Sequence, residues 1–172
     1  MCLMALSCVA VFGCTKEENN SNSNGTAGGS ESEPTVAFVD LGLPSGTKWK
    51  DANEKNEADA EHDFFTYDEA VLQFGNNLPS KEQCEELKDE CQWSWTGSGY
   101  RVTGPNGNSI TLPAAGYRFC DGGMSYEGTL GYFWSSTPDG SDYAWSLYFN
   151  SVSAYVGFYD RCLGYSVRLV QD

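Results

Sequence analysis

Tyrosine, serine and aspartate recur in the carboxy-terminal part of the sequence, where their side chains offer contact area and hydrogen bonds. A tyrosine ring supplies contact area at low rotamer cost, and the hydroxyl groups of tyrosine and serine donate and accept hydrogen bonds. This chemistry is typical of adaptable binding surfaces, although aromatic residues in short strands also serve simply as core or sheet covering. The residues predicted to bind a ligand are Ser146, Tyr148, Ser153, Tyr155, Phe158, Tyr159, Asp160 and Tyr165.

The residue patterns that catalysis needs are missing from the sequence. The single histidine, His62, lies in an acidic segment, which makes a triad of serine, histidine and acid implausible. No glycine-rich phosphate loop of the required spacing precedes a helix, and no activating base is evident near Cys120 or Cys162. The cysteine spacings match no zinc pattern. We therefore expect no enzyme activity, no metal site and no cofactor.

The cysteines after position 14 are candidates for a disulfide bond if the domain is exported. Cys84 and Cys91 lie seven residues apart in a predicted helix, roughly 10 Å along its axis, which is beyond the reach of a disulfide. A bridge would therefore pair one of them with Cys120 or Cys162, or join Cys120 to Cys162. The spacing alone does not choose among these pairings.

The amino-terminal segment has the composition of an export signal. Residues 1–13 carry no charge and are mostly apolar or small, and the run is too short to span a bilayer, which takes about 20 residues. A small residue followed by cysteine, here Gly13 and Cys14, resembles the end of a bacterial lipoprotein signal. We therefore predict cleavage after Gly13, acylation of Cys14 and a membrane contact through the lipid. The alternative is a free or buried cysteine in an uncleaved leader.

The sequence after Cys14 predicts a tether followed by one domain. Residues 14–34 contain no aromatic residue and no valine, leucine or isoleucine, so they cannot bury enough apolar area to fold. Residues 35–172 have the size of one domain. Lys16 and the two glutamates after it resemble the signal that sends Bacteroides-type lipoproteins to the outer face of the outer membrane. A plain solvated linker is the alternative interpretation of this acidic run.

The overall charge limits the partners of the protein. The chain has 10 basic and 24 acidic residues and a net charge of −14. A nucleic-acid partner requires a basic surface, so none is expected. An especially acidic segment, residues 50–63, is predicted to be a solvated loop or a polar helical turn rather than an interaction site.

Two short helices and a series of strands must position the predicted site. Thr66 with Glu69, and Ser80 with Gln83, have the spacing of capping boxes, and Gly75 marks the end of the first helix. After Trp93 the sequence changes to short runs rich in tyrosine, phenylalanine and valine, separated by turn residues that include Asn106–Gly107. This order predicts an α+β fold.

Alternation along residues 143–150 predicts which side chains face the core. Successive side chains of a strand point to opposite faces, so each face carries every second residue. The predicted core face carries Tyr143, Trp145, Leu147 and Phe149. The predicted outer face carries Ala144, Ser146, Tyr148 and Asn150. Val167 and Leu169 are also expected to point inward.

Several sequence blocks together resemble the Fibrobacter major paralogous domain, which is common in Bacteroides-type lipoproteins. The blocks are VDLGLPSGTKW (39–49), LPSKEQCEEL (78–87), GPNGNSITLPAAGYR (104–118), GYFWSST (131–137) and RCLGYSVRLV (161–170). That family is similar to the C-type-lectin-like and formylglycine-generating-enzyme-like folds. The resemblance implies a C-type-lectin-like fold, with two short helices followed by a twisted antiparallel sheet with long loops.

The resemblance also bears on residue roles and on function. Arg161, Gly164 and Arg168 match a block of the family, which implies structural roles: a turn or bulge at the glycine, and arginines paired with carboxylates or carbonyls. Calcium-dependent sugar binding is not supported, because the lectin triplets that hold calcium do not occur. We predict a surface-exposed outer-membrane lipoprotein that binds an extracellular protein or glycan. The alternatives are a subunit of a fimbria-like or envelope assembly and a hydrolase accessory module.

Overall fold

The computed structural model describes residues 37–172, which belong to one compact unit. The predicted signal at 1–13, the acylated Cys14 and the tether at 14–34 lie outside the described residues. In this part of the chain, no helix is long and apolar enough to cross a membrane. The same residues contain no group of three or more histidine, cysteine, aspartate or glutamate side chains placed to hold a metal ion.

Both predicted helices form, and their capping residues explain where they begin. Helix α1 spans Tyr67–Phe74, and helix α2 spans Lys81–Glu90. The Thr66 hydroxyl accepts a hydrogen bond from the backbone N–H of Glu69, and the Glu69 carboxylate accepts one from the N–H of Thr66. Ser80 and Gln83 make the same reciprocal pair at α2. The capping boxes predicted from the sequence are therefore confirmed.

The rest of the fold consists of short strands joined by turns and loops. The strands are β1 Phe38–Asp40, β2 Lys48–Lys50, β3 Gln92–Trp95, β4 Gly99–Thr103, β5 Ser109–Pro113, β6 Tyr117–Arg118, β7 Met124–Ser125, β8 Gly131–Asp139, β9 Tyr143–Phe149, β10 Ala154–Asp160 and β11 Val170–Gln171. They form the sheets β1-β2-β11, β10-β9-β8, β3-β4-β5 and β6-β7, in which each pair of neighbouring strands is antiparallel. Gly107, with φ +88°, lies in the turn between β4 and β5. The fold is α+β.

The β10-β9-β8 sheet lies between two buried clusters, one on each face. The first cluster includes Leu147 and Phe149 of the sheet and Cys84 and Leu87 of α2. The second includes Trp134 and Ala144 of the sheet and Tyr67 and Ala70 of α1. Strand β9 is the central strand, and the two clusters cover both of its faces over part of its length.

The two-sided burial of β9 corrects the predicted faces of this strand. Ser146 and Ala144, which were expected to face solvent, are fully buried because side chains of the second cluster cover them. Tyr143, which was expected in the core, is 43% exposed, and Trp145 is only half-buried. Leu147, Phe149 and Val167 are buried as predicted. The alternation along the strand is real, but it does not separate a core face from a solvent face.

The acidic segment is anchored to the domain by hydrogen bonds at several points. It contains one short 3-10 helix, Glu57–Asp59. The buried side chain of Asn56 donates a hydrogen bond to the carbonyl of Phe64, and the N–H of Glu54 donates to the carbonyl of Val167. Asp59 forms an ion pair with Arg118 at 2.8 Å. The segment therefore includes a polar helical turn, as predicted, but it is a docked element of the fold.

A disulfide bond joins Cys120 to Cys162, with their Cα atoms 5.1 Å apart. This pairing is one of those that the sequence left open. Cys84 is a buried free thiol, and Cys91 is a half-buried free thiol. Burial raises the pKa of both thiols, that of Cys91 to about 11, so neither is a reactive nucleophile at neutral pH.

Candidate functional site

A row of tyrosines crosses the β10-β9-β8 sheet on the side of the second cluster. Strand register places Tyr132 of β8 opposite Tyr148 of β9, and Tyr148 opposite Tyr155 of β10. The ring centroids of the first pair are 4.8 Å apart, and those of the second pair are 5.9 Å apart with nearly parallel planes. Cross-strand aromatic pairs of this kind stabilise a sheet and fix the positions of the rings.

Tyr159 completes this surface, which we call the tyrosine face: Tyr132, Tyr148, Tyr155 and Tyr159. The ring of Tyr159 meets Tyr132 edge-on, with the centroids 5.5 Å apart. The Tyr159 ring lies over Gly157, where a Cβ atom would make an ordinary contact with it at 3.4 Å. Exposure increases across the row, from the half-buried rings of Tyr132 and Tyr148 to that of Tyr155, which is 53% exposed.

Tyr165 forms the floor beneath the tyrosine face and does not belong to its surface. It is 1% exposed and stacks on Tyr132 at 4.6 Å and on Trp134 at 4.3 Å. The prediction that Tyr165 contacts a ligand is therefore wrong, and the same holds for the fully buried Ser146. Both side chains are buried because α1 and the segment around Tyr165 cover this part of the sheet. They pack beneath the exposed tyrosines and do not reach solvent.

The remaining predicted residues divide between this face and two other places. Ser153 lies beside Tyr155 and donates a hydrogen bond to its hydroxyl at 2.8 Å. Phe158 lies on the opposite face of the sheet, where its ring contacts Tyr143 and Trp145. Asp160 lines a shallow cleft of about 410 Å³ together with Asp68 and Arg161. The structure therefore brings together Tyr148, Ser153, Tyr155 and Tyr159.

Sequence analysis did not identify three tyrosines that extend the candidate site. Tyr132 belongs to the face itself, and Tyr117 lies beside it, with the centroids 5.1 Å apart. Tyr126 stacks on Tyr117 at 5.8 Å and is 54% exposed. The sequence signal for Tyr132 is its position two residues before the buried Trp134, which places both on one face of a strand. Nothing in the local sequence brings Tyr117 and Tyr126 to this surface.

The tyrosine hydroxyls of the face are hydrogen-bonding groups at its surface. Burial, followed by the neighbouring tyrosines, raises the pKa of Tyr132 and Tyr159 above the ordinary value. The hydroxyls of Tyr132 and Tyr159 therefore keep their protons at physiological pH and can both donate and accept hydrogen bonds. The Asn150 side chain donates a hydrogen bond to the Tyr148 hydroxyl at 3.2 Å, which leaves the proton of that hydroxyl free to donate. This arrangement suits the recognition of neutral polar groups.

Arg168 holds several segments of the domain together. Its side chain is 1% exposed and donates hydrogen bonds to the Asn53 side chain and to the carbonyls of Lys50 and Thr111, at 2.8–2.9 Å. Burial lowers its pKa to about 10, so the guanidinium remains charged at neutral pH. The predicted structural role of Arg168 is confirmed.

The other two residues of the arginine and glycine block are also structural. Arg161 bonds to the carboxylate of Asp68 and to the carbonyl of Ser141. At Gly164, a Cβ atom would lie 2.9 Å from the side chain of Arg118. Only glycine therefore allows the two segments to exchange their backbone hydrogen bonds, which join Arg118 and Gly164 at 2.8–2.9 Å.

The carboxy-terminal part of the chain matches a known family. A model of the family described as Domain of unknown function (DUF8237) matches residues 79–170. The matched segment contains the whole tyrosine face and both cysteines of the disulfide bond. Neither the curated proteins nor the solved structures compared with the chain include a match. Because the matched segment covers more than half of the 172 residues, the chain belongs to the family described as Domain of unknown function (DUF8237).

Proposed function

We propose that the protein is a surface-exposed outer-membrane lipoprotein that binds an extracellular protein or glycan through its tyrosine face, without catalysis. The domain that carries this face would be C-type-lectin-like and related to the Fibrobacter major paralogous domain. The sequence blocks that resemble this domain support the relationship. After β1 and β2, the described residues form two short helices and then antiparallel strands, and this order agrees with what the resemblance implies.

The observation that carries this proposal is the continuous row of rings from the interior of the domain to its surface. Tyr165 is buried and stacks on Tyr132, which contacts Tyr148, which in turn stacks on the exposed Tyr155. The buried rings restrict the rotamers of the exposed rings before any ligand arrives. Binding to such a preorganised surface costs little side-chain entropy, which leaves more of the contact energy available for affinity.

The chemistry of the face favours a neutral or basic partner. Aromatic rings pack against the apolar face of a sugar or against an exposed protein side chain, while the hydroxyls supply hydrogen bonds. The net charge of −14 repels acidic ligands and attracts basic ones over the whole surface. These properties support a protein or glycan ligand, and they disfavour a polyanion.

Alanine substitutions on the two faces of the sheet test the binding proposal. We expect Y148A, Y155A and Y159A to weaken binding on a glycan and cell-surface protein array at least about tenfold, because each removes ring contacts and a hydroxyl. The matched control is F158A. Phe158 is 52% exposed, about as much as Tyr155 at 53%, but it lies on the opposite face of the sheet. Thermal melting of each variant separates lost contacts from lost folding. Unchanged binding by all three tyrosine variants would contradict the proposal.

A separate experiment tests the lipid anchor, which rests on the sequence around Gly13 and Cys14. Cells that express the protein are labelled with a fatty-acid analogue, and the wild type is expected to carry the label. The C14A variant is expected to lose it completely, because the thiol that forms the thioether is absent. C91A is the control, since Cys91 is a free thiol outside the predicted signal. Undiminished labelling of C14A would show that the protein is not anchored in this way.

A further inference from the structure

Strand β10 forms an open edge of the β10-β9-β8 sheet. Hydrogen bonds from Asn150 N–H to Ser153 C=O and from Arg161 N–H to Asp142 C=O show which residues of this strand bond to β9. Residues 153 and 161 flank β10 and bond to the β9 side. Because hydrogen-bonded pairs alternate along an antiparallel pair of strands, the odd-numbered residues of β10 bond to β9. The even-numbered residues of β10 therefore point their N–H and C=O groups outward. Among residues 37–172, the outward groups of Ala154, Val156 and Phe158 have no backbone partner, whereas the C=O of Asp160 accepts a hydrogen bond from the N–H of Leu163 at 3.1 Å.

The open edge of β10 lacks the features that usually prevent strands from pairing with other chains. Natural edge strands are commonly protected by lysine, proline, a bulge or very short length. Strand β10 has seven residues, AYVGFYD, with no lysine or proline, and its pairing with β9 is regular throughout. Its only charge, Asp160, lies at the end of the strand. Tyrosine, valine and phenylalanine also favour extended pairing.

The sequence of β10 is complementary to itself in one antiparallel register. When Gly157 lies opposite Gly157 of a second copy, Val156 faces Phe158 and Ala154 faces Asp160. Val156 and Phe158 of both strands then exchange backbone hydrogen bonds, and the N–H of each Asp160 donates to the C=O of Ala154 in the other copy, whereas other registers leave more of the outward groups unpaired. Gly157 takes the position on the two-fold axis, in a non-hydrogen-bonded pair where the two Cα atoms approach to about 4.5 Å.

We propose that two copies of the chain associate through β10 about a two-fold axis, which joins their two three-stranded sheets into one. Such a contact is isologous, since the same strand serves both partners. Directly opposite residues share a face, so Tyr155 of one copy lies beside Tyr159 of the other. The two tyrosine faces thereby become one continuous surface. This inference rests on backbone geometry and does not depend on the proposed ligand.

Charge makes the association sensitive to salt. Each chain carries a net charge of −14, which opposes self-association at low ionic strength. At the contact itself, each Asp160 faces Ala154 of the other copy and not another acid. Repulsion is therefore spread over the two domains and is screened by added salt. The dimer is expected to strengthen as the salt concentration rises.

Sedimentation equilibrium of the full chain tests the association, with C14A included so that no lipid attaches. The mass of this chain is expected to rise with concentration from 18.8 kDa toward twice that value. F158P removes an outward N–H that β9 does not use, so it should weaken association at least about tenfold. F158A is the matched control, because it keeps that N–H and should associate more tightly than F158P.

Cysteine crosslinking tests the register of the contact independently of affinity. In a background with serine at positions 2, 8, 14 and 91, G157C is expected to form a disulfide-linked dimer on mild oxidation. A Cβ atom at position 157 meets only the Tyr159 ring, at 3.4 Å, so the substitution is tolerated. V152C is the control, since Val152 is 87% exposed but lies far from the two-fold axis.

Two results would overturn the proposal. The first is a chain that stays monomeric at every concentration and salt level, which would leave the edge of β10 to a strand from a different protein. The second is crosslinking of V152C as fast as that of G157C, which would show that collisions and not a defined register bring the chains together. The proposal is supported if G157C crosslinks faster than V152C and if F158P associates more weakly than F158A.

Discussion

Replacing Arg168 with alanine is expected to lower the free energy of unfolding by about 4 kcal/mol or more. The substitution removes the hydrogen bonds from the guanidinium to Asn53, Lys50 and Thr111 and leaves buried carbonyl groups without a donor. It also leaves a cavity where a fully buried long side chain had packed. Urea unfolding of R168A beside the wild type measures the loss.

The matched control for R168A is R101A, because Arg101 is an exposed arginine with one side-chain hydrogen bond, to Ser109. Its removal should change the free energy of unfolding by no more than about 0.5 kcal/mol. R168A should also expose the chain around Asn53 to proteolysis before global unfolding, since its anchor is lost. A loss in R168A no larger than that in R101A would contradict the anchoring role.

Loss of the Cys120–Cys162 disulfide is expected to lower the free energy of unfolding by about 2 to 4 kcal/mol. The two cysteines are separated by 42 residues, and opening a loop of this size returns considerable entropy to the unfolded chain. The C120A/C162A double variant measures the effect without a reductant. C91A is the control, because it removes a thiol that is outside the bridge.

The folded state should survive loss of the bridge. Backbone hydrogen bonds join Arg118 to Gly164 beside the disulfide, so the two segments remain in contact without the covalent link. We therefore expect a native fold at a lower unfolding midpoint, measured by urea unfolding with and without a reductant. Equal midpoints for oxidised and reduced wild type would show that the bridge does not form in solution.

Local signals in the sequence predicted the helices correctly because the interactions that start a helix are local. Thr66 and Glu69 lie three residues apart, as do Ser80 and Gln83, and each pair satisfies its own backbone groups. The turn at Asn106–Gly107 is a local signal of the same kind, since glycine tolerates the positive φ that it requires. These elements were predictable without knowledge of the rest of the chain.

The burial of Ser146 and Tyr165 was not predictable from local patterns. Alternation assigns side chains to two faces, but it does not show whether a second layer covers both of them. Ser146 is buried because it lies on the face that carries the second cluster, directly opposite Trp134 of that cluster. Tyr165 is buried between Tyr132 and Trp134, which come from a strand about thirty residues earlier in the sequence.

Long-range contacts also explain what sequence analysis missed at the candidate site. Tyr148, Tyr155 and Tyr159 were identified from the composition of one segment, and register brings them together. Tyr117 and Tyr126 join them only because of contacts between distant segments. The same limit applies to the disulfide bond, where spacing excluded one pairing but did not select Cys120 with Cys162.

The position of β2 between β1 and β11 has a consequence for the order in which the protein folds. Trp49 of β2 is buried, and its partners in the sheet are Val39 of β1 and Val170 of β11. During synthesis, Trp49 stays without its partner Val170 until the residues of β11 have emerged. Contacts between such distant residues slow folding, because a long loop must close before they form. The nascent chain therefore cannot complete this sheet until the residues of β11 have been synthesised.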